Sequence, residues 1–239
     1  IGDKPNDPVV GVSDLLIHLS GEQMGKKASE VIKGESLDVL IGSIPGPEKD
    51  DDDKDIKERV KANILTILSQ EYGVDEDDFL SAEIEVVPAG EARDYGLDRS
   101  MIMGYGHDDR VCAYPSYRAM LEIEGTPEYT SVCLLVDKEE IGSVGASGMQ
   151  SRFFENCVAE VMNLAGDYSE LAVRRALKNS KVLSSDVSAA FDPNYPSVME
   201  KKNSAYFGKG LVFNKYTGAR GKSGSNDANA EYVARLRNI

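Results

Sequence analysis

The chain has 239 residues, 41% of them hydrophobic, which is enough for one large domain or two modest ones with a real core. Its formal net charge of −14 argues against a nucleic-acid backbone or an anionic membrane surface as partner, because an acidic face has no counterions to exchange with either. Cys112, Cys133 and Cys157 are odd in number and widely spaced, a pattern that predicts reduced thiols in a cytoplasmic protein and no disulfide framework. No apolar run approaches the roughly 18 residues a membrane span needs.

In chain order, Pro8–Val12 and Leu37–Gly42 read as short strands on either side of the apolar segment Asp14–Leu19. An acidic block, Asp50–Lys54, reads as a solvated loop. Helical spacing runs through Ile56, Val60, Ile64, Leu65 and Leu68, with Gly73 as the stop. Ala82, Ile84 and Val86 alternate with polar neighbours and predict a half-buried strand. Residues 89–100 read as a polar connection, and a domain boundary is placed there, with an accessory domain over 1–95 and a second domain over 96–239. Met101–Met103 predicts a strand, followed by a helix over Val111–Ile123 that Pro115 must kink or open. Helices follow over Met149–Leu164, Tyr168–Leu177 and Asn229–Leu236, with short strands at Lys181–Asp186 and Leu211–Phe213. Strands alternating with helices predict an α/β domain with a central mixed sheet and flanking helices.

The stretch from Thr130 to Gly148 organises this second domain. Thr130–Val136 is β-branched and apolar without alternation, as suits a strand covered on both faces. It stops at Asp137, Glu139 and Glu140, and Gly142, Gly145 and Gly148 then mark a loop needing unusual backbone angles or close approach. Asp108–Asp109 and Asp186 stand in the same position, each just after an apolar segment. Carboxylates gathered at one sheet edge raise each other's pKa and persist best around a cation. One or two divalent metals would fit, activating water for attack on a carbonyl while a carboxylate outside the coordination shell takes the proton. On spacing alone, unrelated surface acids are the better reading.

Three segments together resemble the aspartyl aminopeptidase and aminopeptidase I family of dinuclear metallopeptidases. They are His107–Tyr114, Val136–Ser143 with Gly148–Ser151, and Ser185–Tyr195. Asp7–Leu19 is similar to that family's inserted dimerisation domain, which implies a β-rich dimerisation insert within 1–95. The resemblance implies a metalloaminopeptidase acting on peptide substrates, with two divalent ions, zinc first and cobalt or manganese as alternatives. By the same resemblance, Asp108 bridges the metals, Glu140 and Asp186 each ligate one, and Glu139 is the general base. Asp109 then supports its neighbour, and His107 is structural. His18, which on its apolar surroundings alone reads as a core histidine, would reach from one subunit of a homodimer toward the substrate carbonyl in the partner's site. Such dimers would build a larger homo-oligomer.

Two departures accompany the resemblance. The family's site also uses two histidines for which this chain has no counterpart, since its histidines are His18 and His107. An internal fragment, inactive alone, is the expectation that follows. Where members selective for acidic N-terminal residues carry a histidine and a lysine, this chain has Ala189 and Asn214, with Lys209 and Lys215 nearby, so a preference for neutral or apolar N-terminal residues is expected. Gly218–Ser223 mimics a phosphate loop, but its glycines are too close together. A non-catalytic oligomerisation module, or a dinuclear metallohydrolase with a non-peptide substrate, are the alternative functions.

Overall fold

A computed structural model describes residue 2, residues 4–49, residues 55 and 57–202, and residues 204–214 and 228–239. The acidic block Asp50–Lys54, Ile56, Lys215 and the Gly218–Ser223 segment lie outside the described residues. The chain divides into two units, 1–105 and 106–239.

In the first unit, β1 (Gly11–Val12) pairs antiparallel with β2 (Val39–Leu40), Gly11 facing Leu40. Both strands fall where the apolar runs predict them, but the ladder is only two residues long. Between them lie two short helices, α1 (Gly21–Met24) and α2 (Ala28–Val31). The long helix α3 (Arg59–Tyr72) ends as its sequence predicts, with Gly73 at φ 65°, where a side chain would be strained. The Arg59 guanidinium donates to the carbonyl of Gly46 at 2.9 Å from Nε and 2.7 Å from Nη2, and Asn63 Nδ2 donates to Ile44 O at 3.1 Å. These bonds dock α3 on residues 42–46. The approach there is so close that a Cβ on Gly42 would collide with the Ile64 side chain.

A second antiparallel ladder joins β3 (Arg93–Tyr95) to β4 (Met101–Met103). β4 was expected; β3 sits inside the stretch read as a polar connection. The hairpin therefore bridges the boundary drawn at residue 95. Its turn is closed by Asp98, whose carboxylate accepts from Ser100 Oγ at 2.9 Å and from Ser100 N at 3.3 Å. Those two bonds hold Asp98 below the usual carboxylate range.

The second unit contains α4 (His107–Leu121), α5 (Phe153–Leu164), α6 (Glu170–Asn179) and α7 (Ala230–Leu236). α5 and α6 pack together. Phe154, Val158 and Met162 of α5 are half-buried, whereas Phe153 and Val161 of the expected stripe are exposed. α6 starts at Ser169, whose Oγ accepts from Ala172 N at 3.1 Å, and it carries Val173, at 4% exposure the one buried apolar side chain among the described residues. Asn229 caps α7 in the same manner, accepting from Tyr232 N at 2.8 Å.

The secondary structure is thus mixed helix and strand, but the apolar segments 130–136, 181–186 and 211–213 carry no ladder among the described residues. Nor does the alternating segment 82–87. Alternation and β-branching register which side chains can pack, while a strand also needs a hydrogen-bonded neighbour. Val132 and Leu135 are 58% and 61% exposed. Among the described residues no helix is long and apolar enough to cross a membrane.

Candidate metal centre

Three segments of the second unit deliver the acids. Asp108 follows β4 and the turn Gly104–Gly106, and sits with Asp109 in non-helical backbone at the start of α4; regular helix begins only after them. The Asp108–Asp109 peptide bond is cis. Glu139 and Glu140 open a single 3-10 turn, Glu139–Ile141, entered through Lys138 at φ 66° and left through Gly142 at φ 92°. Asp186 ends the third segment, and its Oδ1 accepts from Val187 N at 2.7 Å.

These acids face one another. Asp108 is raised above the ordinary carboxylate range by partial desolvation, then by the charges of Asp186, Glu140 and Asp109, and by a hydrogen bond with Asp186. Glu139 is raised by the charge of Asp186 first, then by partial desolvation and by Glu140, Asp108 and Asp109. Each of the three segments therefore feels the other two, which unrelated surface acids would not.

The donor set fits a divalent cation in kind, since all five groups offer hard oxygen donors and their mutual repulsion rewards positive charge. It is an open arrangement: among the described residues, no three His, Cys, Asp or Glu side chains are placed to enclose an ion. His107 precedes Asp108 at the start of α4 and is exposed. His18 belongs to the other unit, in an exposed turn flanked by Ile17 and Leu19, themselves 67% and 70% exposed. It is not the core histidine that its apolar neighbours alone would suggest.

The loop after Glu140 has the backbone its glycines predict. Gly142 and Gly145 take φ of 92° and 94°, and a Cβ on Gly148 would lie 2.6 Å from Val144 O and closer still to Ser143 O. Lys138 and Ser143 also adopt positive φ, at a cost of about 1 kcal/mol each. Lys138, Ser143 and Gln150 fall within the segments that carry the resemblance, but sequence reasoning assigns them no role, because their part in the loop depends on how it folds back. Further on, Asn214 Nδ2 donates to Ser188 Oγ at 3.0 Å, which sets residue 214 beside the segment that carries Asp186 and Ala189.

Acids from three segments thus influence one another in a mixed α and β chain, a carboxylate-rich cluster. The chain belongs to the aminopeptidase I zinc metalloprotease (M18) family, whose model matches residues 1–239. It is 64% identical over its whole length to a protein of Clostridium acetobutylicum named "Probable M18 family aminopeptidase 1", covering 50% of that protein. The crystal structure of aminopeptidase I from Clostridium acetobutylicum superposes with a TM-score of 0.81 at 62% identity, all of this chain matching 50% of that one. An M18 family aminopeptidase from Thermotoga maritima superposes with a TM-score of 0.85 at 45% identity, all of this chain matching 51% of that one. The chain spans about half the length of the relatives it matches.

Proposed function

We propose that this chain supplies the acidic side of the active site in a zinc aminopeptidase that releases N-terminal residues from peptides. The observation that carries this reading is the mutual electrostatic contact of Asp108, Glu139, Glu140 and Asp186, in a chain of the M18 family. Two divalent ions bound there would supply Lewis acidity to the scissile carbonyl and lower the pKa of a water. Asp108, as the bridging carboxylate, and Glu140 and Asp186, one for each ion, are the residues that would hold them. Glu139, raised above the ordinary carboxylate range by its neighbours, accepts the proton of the attacking water and passes it to the leaving amine. Asp109 supports Asp108. His18 of a second copy donates a hydrogen bond to the substrate carbonyl.

The apolar segments 130–136, 181–186 and 211–213, unpaired within this chain's described residues, would become strands of a central mixed sheet flanked by helices in the whole protein, and residues 1–95 carry a β-rich dimerisation insert. Support for both comes from apolar residues left exposed, Leu135 and Leu183 in the first case and Leu15, Leu16, Ile17 and Leu19 in the second. Dimers built on that surface assemble further. A cytoplasmic setting agrees with three free cysteines. Ala189 and Asn214 leave the substrate side chain without a cation, and the Asn214–Ser188 bond supports their proximity, so neutral or apolar N-terminal residues are preferred.

Zinc titration by calorimetry of the native gene product carrying this sequence tests the centre, with Asp108→Ala and Glu140→Ala as comparators. Zinc-dependent heats that vanish in both variants support it. The second reading, a non-catalytic oligomerisation module, is favoured by the open arrangement of the acids and would show the same heats in all three proteins.

A further inference from the structure

From the loop that follows the two glutamates, we infer that Gln150 is a positioning residue, clamping the turn that carries Glu139 and Glu140. Gln150 Nε2 donates to Gly142 O at 2.6 Å, and its backbone N–H donates to Ser143 O at 3.1 Å. One residue thus grips two consecutive carbonyls at the exit of the turn. Inside the turn, Gly142 N donates to Glu139 O at 2.8 Å and Ser143 N to Lys138 O at 2.6 Å. The turn itself is only Glu139–Ile141, so Gln150 closes a loop whose backbone has few other fixed points.

Two further features hold the clamp in place. Gly148 is buried against the carbonyls of Ser143 and Val144, in space a Cβ would fill, which lets the chain double back and bring Gln150 to Gly142. Ser151 then fixes the far side: its Oγ donates to Gly148 O at 2.6 Å and accepts from Phe153 N at 3.2 Å, tying the loop to α5. The positive φ of Lys138 and Ser143 is unfavourable for non-glycine residues and must be paid by such fixed contacts. Side chains of the turn inherit this geometry, and catalysis is sensitive to displacements of about 1 Å.

This inference rests on the proposed role of Glu139 and Glu140, yet one of its tests does not need that role. In the native gene product, Gln150→Met keeps the length of the side chain and removes the donor. Amide hydrogen exchange over residues 139–148 is expected to accelerate several-fold while exchange in α6 is unchanged. With a leucyl anilide and zinc, kcat is expected to fall about five- to tenfold at constant KM, the worth of one hydrogen bond. Gly148→Ala, which attacks the same fold-back from its other side, should move both readouts in the same direction. Unchanged exchange over 139–148 in Gln150→Met overturns the clamp whether or not the enzyme turns over. Faster exchange with unchanged kcat overturns the positioning role. A wild-type protein without metal-dependent turnover contradicts the functional reading and leaves the exchange result to decide the clamp.

Discussion

Asp186, which reaches the site from a different segment of the second unit, helps raise the Asp108 carboxyl above its ordinary range through its charge and a hydrogen bond. Neither segment needs this contact for its own backbone, because Asp186 already accepts from Val187 N and Asp108 precedes the regular part of α4. Two acids held together in this way share a proton or a cation, and a divalent cation answers the charges of Glu139, Glu140 and Asp109 as well.

The titration order of the acids follows. Without metal, Asp108 and Glu139 are expected to titrate above the ordinary carboxylate range, and Asp98 and Asp14 below it. Asp14 is lowered by the Leu15 backbone N–H and then by Gln23. A carboxyl raised by folding stabilises the folded chain fully below its unfolded pKa, and that contribution is lost as pH rises through the raised value. For Asp98 and Asp14 the sign reverses: their contribution is present above the unfolded pKa and lost as pH falls through the depressed one. Carbon-detected NMR of the side-chain carboxyls reads each directly. Asp108 titrating at or below Asp98 would show that the acids do not face one another.

Glu139→Gln should separate chemistry from binding. The amide cannot take a proton from water, so kcat on a leucyl anilide should fall about 10²- to 10⁴-fold while zinc content is retained. Loss of zinc with normal residual turnover per bound metal would assign Glu139 to the ligands instead.

Substrate preference is open to a charge test. Leucyl anilide should be turned over faster than aspartyl anilide, and Asn214→Lys should raise aspartyl turnover about tenfold, since a hydrogen bond to a charged group is worth more than a neutral one. A wild-type preference for the aspartyl substrate would refute the neutral-residue reading.

In the second unit, stability should concentrate at the start of α6. Val173→Ala removes two buried carbons and is expected to cost about 2 kcal/mol, and Ser169→Ala removes the helix cap at about 1 kcal/mol. Urea unfolding followed by helix signal measures both. Equal, negligible effects would mean that α6 does not anchor this unit.

What the sequence reveals here depends on how local the cause is. The longer helices were legible, whereas α1 and α2 were not: Gly73 and Asn229 mark ends by their own backbone or side-chain chemistry. β3 was missed because Arg93–Asp94–Tyr95 is exposed and has no apolar face to alternate. For 130–136 and 181–186 the apolar pattern was clear, yet a ladder depends on a neighbour that pattern cannot supply. The acids stand out in the sequence because each ends an apolar segment. Gln150 does not, since its partner on Gly142 appears only when the loop doubles back.

The proposed convergence of the three acidic segments on a shared metal centre is tested most directly with manganese as a paramagnetic probe. Substoichiometric Mn²⁺ added to the isotopically labelled gene product should broaden the NMR signals around Asp108, Glu139–Glu140 and Asp186 together and in proportion. Asp186→Ala should abolish broadening at all three segments. Broadening confined to one of them, or spread evenly over the acidic surface, would contradict a shared metal centre.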